Sequence, residues 1–346
     1  MRGAIERGLR FTQRRLLWLL LATYALGALA PAPGLRIRAV ALCTLHTPGG
    51  PLTLTLPALM LGMLLVVAGL GARVEELRNV ARRPILLITG LAANTLFPIL
   101  FAALAAAGLT AWHNGEEAQN ILVGLAMVGA MPIAGASTAW SQNAGGNLAL
   151  SLGLVLGSTL LSPLLTPLGL HAVGHLTHGD YSEDLHELAR GGSSAFVIAA
   201  VVLPSALGLF GRFIFGERRL ARVMPALKLL NLIDLLVLNY TNAAVALPQV
   251  LRSPDWDFLV LTLSLALSLC IGAFAVGWLI ARALHGSRAD TIALLFGLGM
   301  NNNGTGLVLA STALADHPLV LLPIIFYNLV QQIIAGAVDQ VQRSKT

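Results

Sequence analysis

A helix needs about 20 mostly apolar residues to cross the hydrocarbon of a bilayer, and this chain carries ten such runs in succession. They fall at roughly residues 13–31, 54–72, 85–108, 120–142, 148–170, 195–215, 224–248, 258–283, 291–314 and 318–338. Composition excludes a soluble alternative. Only 11% of the 346 residues are charged and 56% are apolar, whereas a soluble domain carries about 25% charged residues. Disorder is excluded by the same numbers. The formal charge of +6 comes from 22 bases, 20 of them Arg. They are scattered in short groups between apolar runs, where anionic headgroups lie, and do not form a nucleic-acid surface. The reading is an all-α polytopic membrane protein.

The bases also give an orientation. With the N-terminus cytoplasmic and all ten runs spanning, 18 bases fall on inner segments and four fall outside, namely Arg36, Arg38, Arg190 and Arg252. That is the asymmetry of the positive-inside rule, and it places both termini on the cytoplasmic side of a cell's inner (plasma) membrane. The first run follows Arg2, Arg7, Arg10, Arg14 and Arg15 and ends Ala28-Leu29-Ala30. Pro31 is a poor context for cleavage of a leader, so the run is read as a span. The outer segment 171–193 divides five spans from five. An odd number inverts the second half, so residues 1–170 and 194–346 read as two inverted five-span repeats.

Two spans are interrupted. The fourth contains Met131-Pro-Ile-Ala-Gly-Ala-Ser-Thr-Ala-Trp140, and the ninth contains Phe296-Gly-Leu-Gly-Met-Asn-Asn-Asn-Gly-Thr-Gly306. Pro132 removes a backbone donor, and Gly weakens a helix. Freed backbone groups in hydrocarbon cost several kcal/mol unless they line protein or water. Small residues alone would suit close helix packing, but two clusters at corresponding places in the two halves point to a midplane binding site. Unwound carbonyls and amide oxygens suit a hard monovalent cation, and half-helix N-termini suit an anionic group. Candidate substrate-binding residues are Asn302, Asn303 and Thr305, with Asn239 and Asn242 on the seventh span and Asn328 on the tenth. Asn231 and Thr241 share the seventh-span face, and Gln331 and Gln332 share the tenth-span face. Asp234 is the one carboxylate well inside a span and is the candidate proton site.

The outer segment holds His171, His175, His178 and His186 among acids. Three His on one helical face can bind a metal, but the segment is read here as a solvated, amphipathic interfacial loop. Cys43 and Cys270 make neither a disulfide framework nor a metal site, and Cys270 is read as packing. No GxxxxGK[ST] sequence is present, which argues against a nucleotide-driven pump. One buried Asp, with no His well inside a span, is too little for an intramembrane enzyme.

The stretch Ser137–Pro167, with Gly146-Asn-Leu-Ala-Leu-Ser151 and Ser158-Thr-Leu-Leu-Ser-Pro-Leu-Leu-Thr-Pro167, resembles the bile acid:sodium symporter family. So does Gly299-Met-Asn-Asn-Asn-Gly304, and the similarity runs from about residue 54 to 335. The resemblance implies two inverted five-helix repeats whose fourth and ninth helices are broken and cross near the midplane. It also implies a core of spans 3–5 and 8–10 and a panel of spans 1, 2, 6 and 7. For sodium it implies one site at Ser137, Thr138 and Ser151, with Val155 where a hydroxyl is usual. A second site falls at Asn94, Asn301 and the carbonyls of Leu298 and Met300. Gly297 stands where sodium-coupled members have Glu, so sodium would meet neutral oxygens only. The fourth span also lacks the Cys on which the related arsenite carriers depend. The expected activity is secondary active transport of a small organic anion by alternating access, with sodium as the coupling ion. A proton-coupled or uncoupled carrier using Asp234 is the alternative, and a channel or intramembrane enzyme lies further off.

Overall fold

The computed structural model describes residues 8, 15–47, 50–72 and 83–343. In chain order its elements are α1 (Leu16–Leu29), α2 (Pro31–Arg38), the strands β1 (Ala41–Thr47) and β2 (Gly50–Thr55), and α3 (Leu56–Gly71). Next come α4 (Pro84–Leu109), α5 (Gly115–Gly129), α6 (Ala136–Asn143), α7 (Leu148–Gly174), α8 (Asp180–Glu187) and α9 (Ser193–Val197). The last are α10 (Leu203–Arg252), α11 (Trp256–Ala283), α12 (Arg288–Gly299), α13 (Asn303–Ala313) and α14 (Leu321–Arg343). Single π-helical turns, Leu188–Gly192 and Ile198–Val202, flank α9. The described residues are all-α apart from the β1–β2 hairpin, which is antiparallel and whose second strand alternates Leu and Thr.

Among the described residues, five helical stretches can cross a bilayer by length and composition, or six if α1 and α2, bent by 92°, count as one. The number falls short of ten for physical reasons. The fourth and ninth runs are each split into halves too short to cross alone, α3 has only 16 residues, and the sixth and seventh runs belong to one stretch interrupted at Gly216 (φ 69°). Helix resumes immediately after Gly216, so residues 217–223, which lie between the sixth and seventh apolar runs, are helical. Their composition, Glu-Arg-Arg-Leu-Ala-Arg-Val, is rich in helix formers. The outer segment is also more ordered than expected, because α7 continues to Gly174 and α8 occupies Asp180–Glu187. Arg2, Arg7, Arg10, Arg14, Arg73, Arg78, Arg82 and Lys345 of the charge count lie outside the described residues.

The exterior is apolar. Leu96, Leu100 and Leu104 on α4 and Leu160, Leu164 and Leu168 on α7 are exposed at one-turn spacing, while Asn94, Ser137, Ser151 and Asn301 are buried. A stripe of bare Leu over buried polar groups is a surface for lipid tails. The chain is a multi-pass membrane protein.

The chain folds as two compact units. One comprises Met1–Ala72 and Ala195–Pro254. Within it α3 and α10 meet through glycines: a Cβ at Gly208 would lie 2.1 Å from the Val66 carbonyl oxygen, and one at Gly69 would lie 2.5 Å from that of Ser205. Such backbone contact is how membrane helices gain packing without a hydrophobic driving force. The α1–α2 bend is held by Tyr240 of α10, whose hydroxyl donates to Ala30 O at 2.6 Å and accepts from Gly34 N–H at 3.2 Å. The other unit comprises Arg73–Ser194 and Asp255–Thr346 and contains both broken helices. Its core includes Leu86, Ile133, Leu150, Leu154, Leu294 and Leu298.

Candidate functional site

The break between α5 and α6 and the break between α12 and α13 pair with each other. Ile133 and Asn301 form an antiparallel bridge. Ala134 N–H donates to Met300 O at 2.8 Å, and Asn302 N–H donates to Pro132 O at 2.9 Å. Side chains satisfy the backbone groups that this pairing leaves. Ile133 N–H donates to Ser158 Oγ at 3.0 Å, Asn301 N–H to Gln331 Oε1 at 3.1 Å, and Thr166 Oγ1 to Ala130 O at 2.7 Å. The unwound residues expected from Pro132 and the Asn run are therefore a built crossing, with its backbone accounted for as burial in an apolar phase demands.

Several polar atoms at the crossing are not accounted for. Asn301 donates its Nδ2 to Val128 O at 3.0 Å, which fixes the amide orientation and leaves Oδ1 buried without a partner. Asn301 lines a cavity of about 10 Å³ with Asn94, Leu298 and Tyr327, room for one particle the size of a water. Tyr327 OH donates to Gly299 O at 3.4 Å, and Cys270 Sγ lies 3.8 Å from the same oxygen. A second space of about 10 Å³ touches Asn94, Pro132, Ser158 and Ser162. Asn94, Asn301 and Leu298 of the second sodium set thus meet at one cavity, and Met300 carries the bridge beside it. The negative end of the α12 half-helix dipole points at this break.

The first sodium set gathers differently. Ser151 Oγ donates to Thr138 Oγ1 at 3.3 Å, so these hydroxyls satisfy one another. Ser137 Oγ and Ser141 Oγ are fully buried and have no partner. Gly297 faces hydrocarbon: a Cβ there would lie 2.8 Å from Leu154 Cδ1. Leu154 is completely buried, and it occupies the space into which a longer side chain at 297 would grow.

Beyond the crossing, Asn302 N-caps α13 by accepting from Thr305 N–H at 3.4 Å. Asn303 has both side-chain polar atoms buried and unpartnered, as is Thr305 Oγ1. Asn328 Oδ1 accepts from Gln331 Nε2 at 3.4 Å. Asn239, Asn242 and Asp234 belong to the other unit, on α10. There Asn239 accepts from Tyr24 OH at 2.9 Å and donates to Leu235 O at 2.7 Å. Asn242 Oδ1 accepts from Arg38 Nη1 at 3.1 Å, and its Nδ2 is buried without a partner. Asp234 Oδ2 is also buried and unpartnered.

Sequence reasoning passed over one latch. Asp290, 1% exposed, accepts from Asn147 Nδ2 at 2.7 Å and from Ser287 N–H and Oγ at 3.0 and 2.8 Å. Asn147 N–H in turn donates to Ala289 O at 2.8 Å. The latch ties the start of α7 to the start of α12, the half-helix that ends at the crossing. Gly145 (φ +78°) makes the turn into it. The signal was present as a Ser-x-x-Asp capping box at 287–290. Tyr327 carried no signal, being one of two adjacent aromatics, with Phe326, in an apolar stretch.

Residues 58–253, more than half of the chain, match the model of the Sodium Bile acid symporter family. The matched segment includes the break after α5 and ends before that of α12. No individual curated protein matches the chain.

Proposed function

The chain belongs to the Sodium Bile acid symporter family, and from that premise we propose that it carries a small organic anion by alternating access, coupled to a single sodium ion. Members of the family are transporters, and the protein is a transporter rather than an enzyme. The observation that carries the coupling proposal is the unpartnered, buried Asn301 Oδ1 beside Asn94 in a cavity of one-particle size. An acceptor in that position calls for a cation or a water, since an unsatisfied buried group costs about 1–3 kcal/mol. Asn94, Asn301 and the Leu298 and Met300 carbonyls are the proposed ligands. Ser137, Thr138 and Ser151 form the weaker candidate, because two of their three hydroxyls already bond each other. The anion is proposed to sit at the positive end of α13, where Asn303 and Thr305 hold unpartnered polar atoms and Asn302 caps the helix. Asn328 is the polar candidate on α14.

The proposed topology is ten spans in two inverted repeats (1–170 and 194–346, joined by 171–193), with both termini cytoplasmic in the inner (plasma) membrane. It rests on the 18-to-4 distribution of bases and on the paired breaks. The proposed moving parts are a core of spans 3–5 and 8–10 and a panel of spans 1, 2, 6 and 7.

Proton coupling is the second reading, supported by the buried, unpartnered carboxylate oxygen of Asp234. The two separate in proteoliposomes offered a panel of carboxylates and sulfonates, with sodium and pH gradients imposed independently. Saturable uptake driven by sodium and retained in Asp234→Asn is expected. Sodium-independent uptake that a pH gradient drives and Asp234→Asn abolishes would overturn the sodium proposal and install the proton.

A further inference from the structure

The outer end of α7 carries a constellation unrelated to transport at the crossing. His171 and His175 lie one turn apart, on the last turn and the C-cap of α7, and α8 brings His186 against them. The three rings form a triangle with centroids 4.6, 4.8 and 4.8 Å apart, every pair roughly edge to face. Their candidate ligand nitrogens all lie within 4.8 Å of one another. His178, the third histidine of the sequence spacing, is not part of the group. It lies past the helix, where its backbone N–H donates to Gln119 Oε1 at 3.0 Å. The third member, His186, comes from a separate helix, and sequence spacing gave no sign of it.

Three details fit a metal rather than a chance cluster. First, His171 Nε2 and His175 Nε2 are 3.2 Å apart. Two ligands at about 2.05 Å from a tetrahedral ion stand about 3.3 Å apart, so this pair has the edge length of a chelate. Second, His186 Nδ1 lies 2.6 Å from Ser182 O. A carbonyl can only accept, so Nδ1 bears the proton and Nε2 is left bare. Metal-binding histidines are oriented by this same outer hydrogen bond to a backbone carbonyl. Ser182 is itself anchored, its Oγ donating to Gly174 O at 2.8 Å. Third, the His186 ring lies flat against Gly174, where a Cβ would come within 2.8 Å of Cε1 and 2.9 Å of Nδ1. Only a residue without a side chain lets α8 bring its imidazole this close to α7. The negative end of the α7 dipole points toward the trio and favours a cation there.

We propose that His171, His175 and His186 form a binding site for a divalent transition-metal ion of the zinc class, which clamps the end of α7 to α8 on the outer side of the protein. Three neutral imidazoles are a preferred donor set for zinc, copper and nickel. With zinc they leave the fourth tetrahedral position to water. Binding adds a crosslink between α7 and α8 just before the chain leaves this unit. The site stands or falls by metal binding and is independent of the transport proposal.

The test uses full-length, untagged protein in detergent, stripped with a chelator and then titrated with zinc in competition with a chelating dye. Cobalt absorption reports the coordination geometry. One zinc per chain is expected, together with cobalt d–d bands of tetrahedral intensity. Affinity should fall at least tenfold in His171→Ala and in His186→Ala and stay unchanged in His178→Ala. His171 and His175 are exposed, so His171→Ala and His171→Gln test the site even if α8 tolerates no change at 186. Failure of the parent to bind zinc stoichiometrically would overturn the proposal. So would binding that His171→Ala, His171→Gln and His186→Ala leave intact.

Discussion

Asn239 of α10 and Asn301 of the crossing are the same residue type in an apolar chain, yet they differ in how their hydrogen bonds close. Asn239 engages both ends of its amide, with Tyr24 on one side and Leu235 O on the other. Elsewhere on α10 closure is mixed, Asn242 Oδ1 being met by Arg38 while Asn242 Nδ2 and Asp234 Oδ2 are buried without a partner. At the crossing, Asn301 Oδ1, Ser137 Oγ, Asn303 and Thr305 Oγ1 are buried with nothing to meet them. Satisfied amides hold helices together. Unsatisfied ones mark a place that something other than protein completes. On this ground Asn239 is proposed for packing and Asn301 for the ion.

The largest expected effect breaks the comparison on the crossing side. Asn301→Leu should reduce transport by at least a hundredfold while the protein still inserts and elutes as a single species. It removes the oxygen proposed for the ion and also leaves Val128 O and Gln331 beside a bulkier apolar side chain. Asn301→Asp is the companion variant. It keeps the shape, adds a charge and should raise sodium affinity in detergent binding assays. If Asn301→Leu transports at the parent rate, the unpartnered oxygen holds only a structural water.

The next effect concerns Gly297, where the family resemblance puts Glu in sodium-coupled members and where the gain depends on whether the larger side chain fits. Adding a carboxylate near a cation is worth on the order of 4 kcal/mol at 4 Å and an effective dielectric of about 20, and each 1.4 kcal/mol is tenfold in affinity. The single change Gly297→Glu would nevertheless drive its Cβ to 2.8 Å from buried Leu154. Overpacking of that kind costs about 1–3 kcal/mol. Gly297→Glu alone should therefore lower the melting temperature with little gain. Gly297→Glu combined with Leu154→Ala should tighten sodium binding at least tenfold, read by sodium titration of substrate binding. An equally weak sodium response in the double variant would show that position 297 does not face the ion.

Much of this could be read from the chain because the strongest signals were covalent or periodic. Pro132 and the Gly-Met-Asn-Asn-Asn run cannot continue a helix, and the apolar runs had to be helices in lipid. Hydrogen-bond closure could not be read the same way. Nothing in the spacing of Asn239 distinguishes it from Asn301, since the distinction lies in Tyr24, more than two hundred residues away in the chain. The filling of the space opposite Gly297 by Leu154 is likewise a matter of tertiary packing, as is the arrival of His186 beside His171. The helix over 217–223 falls between two apolar runs and gives no span signal, although Arg and Glu are good helix formers.

The smallest expected effect tests the packing side of the comparison. Asn239→Leu removes the acceptor of Tyr24 OH and the donor to Leu235 O, while the backbone i→i+4 ladder of α10 stays intact. Side-chain hydrogen bonds between membrane helices average about 0.6 kcal/mol in double-mutant cycles and reach about 1.7. A buried hydroxyl left unpaired adds its own penalty. A loss of about 1 kcal/mol of stability is therefore expected, visible as a melting-temperature drop of a few degrees in detergent, with uptake per folded molecule within twofold of the parent. Pairing it with Tyr24→Phe sharpens the result. If the two residues act only on each other, the double variant should be no less stable than Asn239→Leu alone, because Phe leaves no orphaned hydroxyl. A loss of transport at unchanged stability would instead place Asn239 with Asn303 among the groups that meet the substrate, and hydrogen-bond closure would no longer separate the two sets.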